Sequence, residues 1–311
     1  MSEAAKPFES DKNAPNPRSA VGGSNVVQLP LRGTTDPRSV SLSISQDIAW
    51  PLVGMFAGLW AGLGLVSWAA VSGVIPIWVG TLINFVLFYV LSDFNHEATH
   101  RNISGARSEY KWFNDALGHI GSAPFFLPFA AFKAVHLAHH RLTNHPTLDG
   151  DMWFAGKNFF SILGRAAGLL VGYEIVLHRL ARASFVTRRL LISIWVQRAF
   201  AAGLLALFFA LGVGYEAFML WTLPCLMVMI ALGFLAYAVH CPHESREKYQ
   251  NTNVWLARRA WMQPVLNAAF VYQNYHLVHH LHPRIPFYRY ERAFRQLRPE
   301  MERNSATIRW V

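Results

Sequence analysis

Two stretches of the chain carry no Asp, Glu, Lys, Arg or His. From Ile48 to Ser92 there are 45 such residues in a row, and from Ala217 to Val239 there are 23 more. A helix crosses the hydrocarbon core of a bilayer with about 20 such residues. The first stretch is therefore long enough for two crossings, and Ser72-Gly73-Val74-Ile75-Pro76 supplies the break between them. Spanning helices are predicted near 49–71 and 76–95, and a second pair near 192–213 and 216–240, turning at Gly212-Val213-Gly214. Arg198 falls inside the third helix, where its stem can snorkel to the headgroups. Gly54, Gly58 and Gly62 recur at every fourth position and read as a close-packing face. Two other apolar segments fall short. Segment 122–132 is brief and is interrupted by Pro124 and Pro128. Segment 159–178 contains Arg165, Glu174 and His178 and reads as a helix lying in the interface, with a fifth crossing as the alternative. The pattern predicts an all-α membrane protein: four transmembrane helices in two hairpins, with a helical cap on one face.

Composition sharpens this picture. Of the 311 residues, 53% are hydrophobic and 15% are charged, with a formal net charge of +10; an average soluble domain is roughly 25% charged. An excess of basic residues can signal nucleic-acid binding, but here their placement argues against it. Of the 28 Lys and Arg, five lie before the first helix, eleven in segment 93–189 and eleven in 241–311, while the two short turns have none. By the positive-inside rule the three long segments are expected on the cytoplasmic side. Residues 1–46, with five prolines and no apolar signal core, are expected to form a disordered cytoplasmic tail ahead of a membrane domain at 47–311. Cys225 and Cys241 offer neither a disulfide framework nor a CxxC metal pair.

The fourteen histidines carry the chemistry. His96-Glu-Ala-Thr-His100 runs straight out of the second helix, His136-Leu-Ala-His139-His140 lies in the middle segment, and His276-Leu-Val-His279-His280 lies in the last. On a helix, residues i and i+4 share a face and i+3 adjoins it, so HxxxH is expected to aim two imidazoles at one point and HxxHH three. Chance gives one HxxHH in such a chain roughly 0.03 times, and two are present. Imidazole suits iron, zinc, copper or nickel. Eight such groups, nine with His240 at the end of the fourth helix, are too many for one ion and imply two metals. His145, His243 and His282 adjoin the clusters and read as supporting or surface groups, and His119 and His178 as ordinary interfacial residues. Asp93, Glu97, Asp149, Asp151 and Glu244 are candidates to accept Nδ1–H bonds and orient the rings, and Asn144 and Asn274 to bond a metal-bound water.

The three boxes, their order and the paired apolar helices resemble the integral-membrane fatty acid desaturase and hydroxylase superfamily over roughly residues 47–290. The contexts Tyr237-Ala-Val-His240-Cys-Pro-His243 and Gln273-Asn-Tyr-His276-Leu-Val-His279-His280-Leu-His-Pro-Arg-Ile-Pro-Phe-Tyr look closest to bacterial carotenoid-ring hydroxylases. The resemblance implies metal ligation by His96, His100, His136, His139, His140, His276, His279 and His280, with His240 as the extra ligand. It further implies two non-haem iron ions, dioxygen as co-substrate, and a lipid or carotenoid substrate. The expected setting is a bacterial inner membrane with both termini and the site cytoplasmic. No HPGG haem motif or CxxC pair occurs, so a separate electron donor of ferredoxin, rubredoxin or cytochrome b5 type is expected. Two rival classes are a metal transporter and a dizinc hydrolase. A transporter should carry polar groups in mid-span, which the cores of helices 1, 2 and 4 are taken to lack. Finally, Arg284, Arg289, Arg292 and Arg295, interleaved with Phe287, Tyr288, Tyr290 and Phe294, suit anionic headgroups or an acidic electron donor.

Overall fold

The computed structural model describes residues 48–311; the tail expected at 1–46 lies outside them. Four described helices are long and apolar enough to cross a membrane: α1 (Trp50–Val71), α2 (Ile77–Thr99), α7 (Arg188–Ala210) and α8 (Gly214–His240). Between α2 and α7 come α3 (Lys111–Ser122), α4 (Phe129–Arg141), α5 (Phe159–Ala167) and α6 (Leu169–Arg182). After α8 follow α9 (Gln263–Ala269), α10 (His276–Leu281) and α11 (Tyr290–Arg303). Both predicted turns form, and each places a glycine at φ +78°, Gly73 and Gly212, a backbone region that other residues avoid. The helix α2 runs past the apolar stretch to Thr99, because Asp93, Asn95, His96, Glu97 and Thr99 are buried by protein rather than released to water. The apolar run marks the membrane, not the end of the helix.

Helix α2 is the centre of the bundle. It packs on α1, α3, α4 and α8, and its Phe88, Leu91 and Phe94 are fully buried with Leu52 of α1 and Val228 of α8. Its core is not free of polar groups, as the sequence reading had it: Thr81 and Asn84 are buried. Their partners explain them. Helix α8 opens into a π turn at Phe218–Thr222, just before Pro224. Pro224 has no N–H to give to the carbonyl of Leu220 four residues earlier. Asn84 Nδ2 donates to that carbonyl at 2.8 Å, and Thr81 Oγ1 to the Met219 carbonyl at 2.8 Å. A freed carbonyl in apolar surroundings is costly unless a neighbour supplies a donor, and α2 supplies two. These polar groups serve the backbone, not a transport path.

Three further features differ from expectation. The single helix expected at 159–178 is two, α5 and α6, bent by 72° at Gly168. At the break the Trp153 indole donates to the Arg165 carbonyl at 2.7 Å, and Arg165 donates back to the Trp153 carbonyl at 2.8 Å. The orphan carbonyls of a helix end thus find a donor. Second, the fold is not purely helical. Asn253–Leu256 (β1) and Thr307–Trp310 (β2) pair in parallel, Asn253 opposite Thr307, tying the last residues to the segment after α8. Third, Tyr290, Phe294 and Phe287 are buried. Three of the four aromatics interleaved with the C-terminal arginines are therefore core groups, and Tyr288 is half-buried against them.

Candidate metal centre

Each histidine box sits where the backbone gives it little freedom. His96 lies in the last turn of α2 and His100 caps it. Helix α4 starts behind Pro128, after a left-handed Phe126, and presents His136, His139 and His140. Left-handed Val271 and Tyr272 reverse the chain ahead of α10, which carries His276, His279 and His280. His240 is the last residue of α8. Seven of the nine are buried, and His140 and His280 are half-buried.

All nine converge, but on two points. His96, His100, His136, His140 and His279 form one cluster, and His139, His240, His276 and His280 another, with ring nitrogens within 4.8 Å of one another in each. The expectation that each HxxHH aims three rings at one point is corrected. Successive helical residues are about 100° apart, so i and i+4 differ by about 40° while i+3 and i+4 diverge by about 100°. The i,i+4 pairs therefore stay together: His96 with His100, His136 with His140, His276 with His280. The i+3 member crosses to the other cluster, His279 joining the first and His139 the second.

The donor chemistry of both clusters fits a cation. In the first, Nε2 atoms face one another: His279 to His96 at 3.0 Å and to His140 at 2.8 Å, His136 to His100 at 2.8 Å and to His140 at 3.0 Å. In the second, His139 faces His280 at 3.1 Å and His240 faces His276 at 3.1 Å. Several Nδ1 protons are committed elsewhere. His139 Nδ1 donates to Asp149 Oδ1 at 2.6 Å and His276 Nδ1 to Gln273 Oε1 at 2.9 Å. His279 Nδ1 donates to the Tyr290 hydroxyl at 2.8 Å, which donates on to Glu97. A neutral imidazole has one N–H, so each of these three rings, when neutral, has its Nε2 lone pair free to face its cluster. A metal ion at the centre of each cluster would take these lone pairs. Burial, followed by the neighbouring imidazoles, holds His136, His140, His276, His279 and His280 well below the usual imidazole range, which keeps them neutral and able to ligate. Burial acts the same way on His139, but Asp149 and Asp151 outweigh it and lift that ring to about 9, so a cation would displace its proton.

Of the carboxylates picked out by position, Asp149 orients a ring directly. Asp93 acts through Gln273, which donates to it at 2.7 Å, and Glu97 acts through Tyr290. Glu244 is exposed. Asp151 lies on the opposite side, toward Nε2 of His139 and His240. The Nδ2 groups of both asparagines are engaged by protein: Asn144 Nδ2 donates to the Ser245 and Asn251 carbonyls, and Asn274 Nδ2 to the Trp255 carbonyl and Asn267 Oδ1. Gln273 and Tyr290 were missed. Gln273 was visible as the residue three before His276, but nothing in its type marked it as the bridge between two boxes. Among the other histidines, His145 accepts from the backbone of Thr147 and Leu148, His119 stacks edge-on against Phe129, and His178 bonds Glu174. His243 is buried beside Tyr237.

Both clusters border one cavity. Its walls are Phe125, Leu127 and Phe132 from the α3–α4 region, Leu169 and Tyr173 from α6, Met229, Leu232 and Val239 from α8, and Phe270. His96, His136, His276 and Asp151 also line it. The larger part of its lining is apolar.

A family model described as fatty acid desaturase matches residues 72–311, which include all nine histidines. The chain belongs to that family. An sn-1 oleoyl-lipid 12-desaturase of Picosynechococcus sp. is 26% identical over 273 residues, covering 83% of this chain and 66% of the relative. An endoplasmic-reticulum omega-3 fatty acid desaturase of Nicotiana tabacum is 22% identical over 325 residues, covering 94% and 80%. A shorter match, 28% over 74 residues, covers 24% of this chain and 19% of an sn-1 acyl-lipid omega-3 desaturase (ferredoxin) of Nostoc sp.. The chain spans 66% of the first of these relatives. With four apolar helices and this family, it is a membrane protein. Closeness to carotenoid-ring hydroxylases, expected from the local motifs, is not what these relatives show.

Proposed function

We propose that this chain is an acyl-lipid desaturase that uses dioxygen and two electrons to remove two hydrogens from a fatty acyl chain. In this reading His96, His100, His136, His140 and His279 hold one iron ion, and His139, His240, His276 and His280 hold the other. The observation that carries it is the pair of imidazole clusters opening on one apolar cavity, in a chain of the desaturase family. Bound iron supplies the oxidising power that an unactivated C–H bond demands. The chain's own residues do the rest. Asp149, Gln273 and Tyr290 fix ring tautomers and angles from behind, so the lone pairs converge before any ion arrives. The cavity walls lay the acyl chain against the imidazoles and keep water out.

The relatives' names favour acyl desaturation over carotenoid hydroxylation, and the Nostoc name favours a ferredoxin as the separate donor. The distribution of Lys and Arg supports two helical hairpins with the histidine-bearing segments together on the cytoplasmic face. The test is mass spectrometry of lipids and pigments from cells expressing the chain with a ferredoxin system. An acyl product with two hydrogens fewer, lost on His279→Ala, is expected. A carotenoid with one oxygen more and unchanged acyl chains would overturn the substrate. Two zinc ions and no iron in an active preparation would overturn the chemistry.

A further inference from the structure

Asp151 stands on the other side of the histidines from the remaining carboxylates. Asp149 holds its ring from behind, at Nδ1. Asp151 Oδ2 instead lies 3.3 Å from His240 Nε2 and 3.7 Å from His139 Nε2, the nitrogens that face the middle of the four-histidine cluster. Its side chain also borders the apolar cavity.

The local fold is built to hold it there. Asp149 Oδ1 accepts both His139 Nδ1, at 2.6 Å, and the backbone N–H of Asp151, at 2.8 Å. One carboxylate therefore fixes a ring and, in front of that ring, the residue bearing the second carboxylate. Both oxygens of Asp149 are occupied by N–H donors, since Oδ2 accepts from the Asn144 backbone at 2.6 Å. The grouping of His139, Asp149 and Asp151 is thus not a third ion site.

Spacing makes the same point. Two atoms each about 2.1 Å from one ion, at an angle of 90–110°, lie about 3.0–3.4 Å apart. Around the cluster, His280 to His139 and His240 to His276 are both 3.1 Å. Asp151 Oδ2 lies 3.3 Å from His240 Nε2, inside that range, and 3.7 Å from His139 Nε2, just beyond it, beside both rings. An ion that displaces the proton on His139 Nε2 would lie between that nitrogen, His240 Nε2 and this carboxylate oxygen.

We propose that Asp151 is the fifth ligand of the four-histidine site. The assignment rests on reading the clusters as iron sites. It makes the two sites unequal: five neutral imidazoles hold one ion, while four imidazoles and one anionic oxygen hold the other, on the side that meets substrate. A hard oxygen donor favours iron at that position.

The test is iron content and Mössbauer spectra of purified wild type, Asp151→Asn and Asp151→Glu. Wild type is expected to hold two ions with two distinct quadrupole doublets. Asp151→Asn is expected to fall to about one ion and lose one doublet, the surviving five-histidine ion showing that the fold is intact, and Asp151→Glu to restore the second. Two ions with unchanged spectra in Asp151→Asn would overturn the assignment. So would equal loss of both ions, as a general structural role predicts. A folded wild type that takes up no iron would overturn the iron reading itself, and this assignment with it.

Discussion

Asp149→Ala is the perturbation whose cost the structure makes most explicit. The carboxylate is buried and accepts three N–H groups: His139 Nδ1 at 2.6 Å, Asp151 N at 2.8 Å and Asn144 N at 2.6 Å. Each bond to an ionised group contributes about 1.5–3 kcal/mol. The three share one carboxylate whose own desolvation offsets part of the gain, so removing it is expected to cost about 3–5 kcal/mol, the range for breaking a buried charged pair. A typical domain is stable by about 5–15 kcal/mol. Asp149→Asn is milder. The amide oxygen can keep His139 and Asp151, while its NH2 meets the Asn144 N–H and leaves that donor unpaired at about 1–3 kcal/mol. It also removes the negative charge that makes His139 a strong donor, which is expected to weaken metal retention about 10–100-fold. Thermal unfolding in detergent should therefore rank wild type above Asn above Ala, and chelator competition should extract iron from both variants faster. An Asp149→Ala protein that unfolds with wild type and releases iron no faster would refute the reasoning.

Gln273→Leu removes the acceptor of His276 Nδ1, the donor to Asp93 and the contact at 3.3 Å with His96 Nδ1; because Gln273 thus touches residues of both clusters, chelator release of both ions should quicken by about 10–100-fold, and unchanged kinetics would count against it. Asn84→Leu strips the donor from the Leu220 carbonyl beside Pro224 and should lower the unfolding temperature, at a cost of about 1–3 kcal/mol. Iron per folded chain should stay at the wild-type value, since Asn84 serves the backbone of α8 rather than the histidines; a loss of iron without a loss of stability would contradict that role.

Much of the fold was legible because membrane spans advertise themselves by what they lack. Ile48–Ser92 and Ala217–Val239 could be little else, and Gly73 and Gly212 turn where their missing side chains allow. The ends of α2 were less legible, because polar residues inside a protein-covered helix look like the start of a loop. The bend at Gly168 depends on Trp153, and the β1–β2 pairing joins residues about fifty positions apart; neither leaves a local pattern. The histidines were legible as a set through their spacing. Their supports were not: Gln273 and Tyr290 act through hydrogen bonds that residue type alone does not announce.

The division into five and four follows from helical geometry once the helices are placed, and it has a mechanical consequence. Helix α4 gives His136 and His140 to one cluster and His139 to the other, while α10 gives His276 and His280 to the second and His279 to the first. Each cluster therefore joins the same two helices, with the majority and minority shares exchanged. The first also includes the end of α2, and the second the end of α8. Two ions so placed would act as cross-links between α4 and α10 and, through His96 and His240, anchor both to the membrane bundle. An HxxHH sequence is thus better read as a pair plus an outlier than as a triad. Its value lies in letting one short helix bind two ions at once, which a run of HxxxH pairs on a single face could not do.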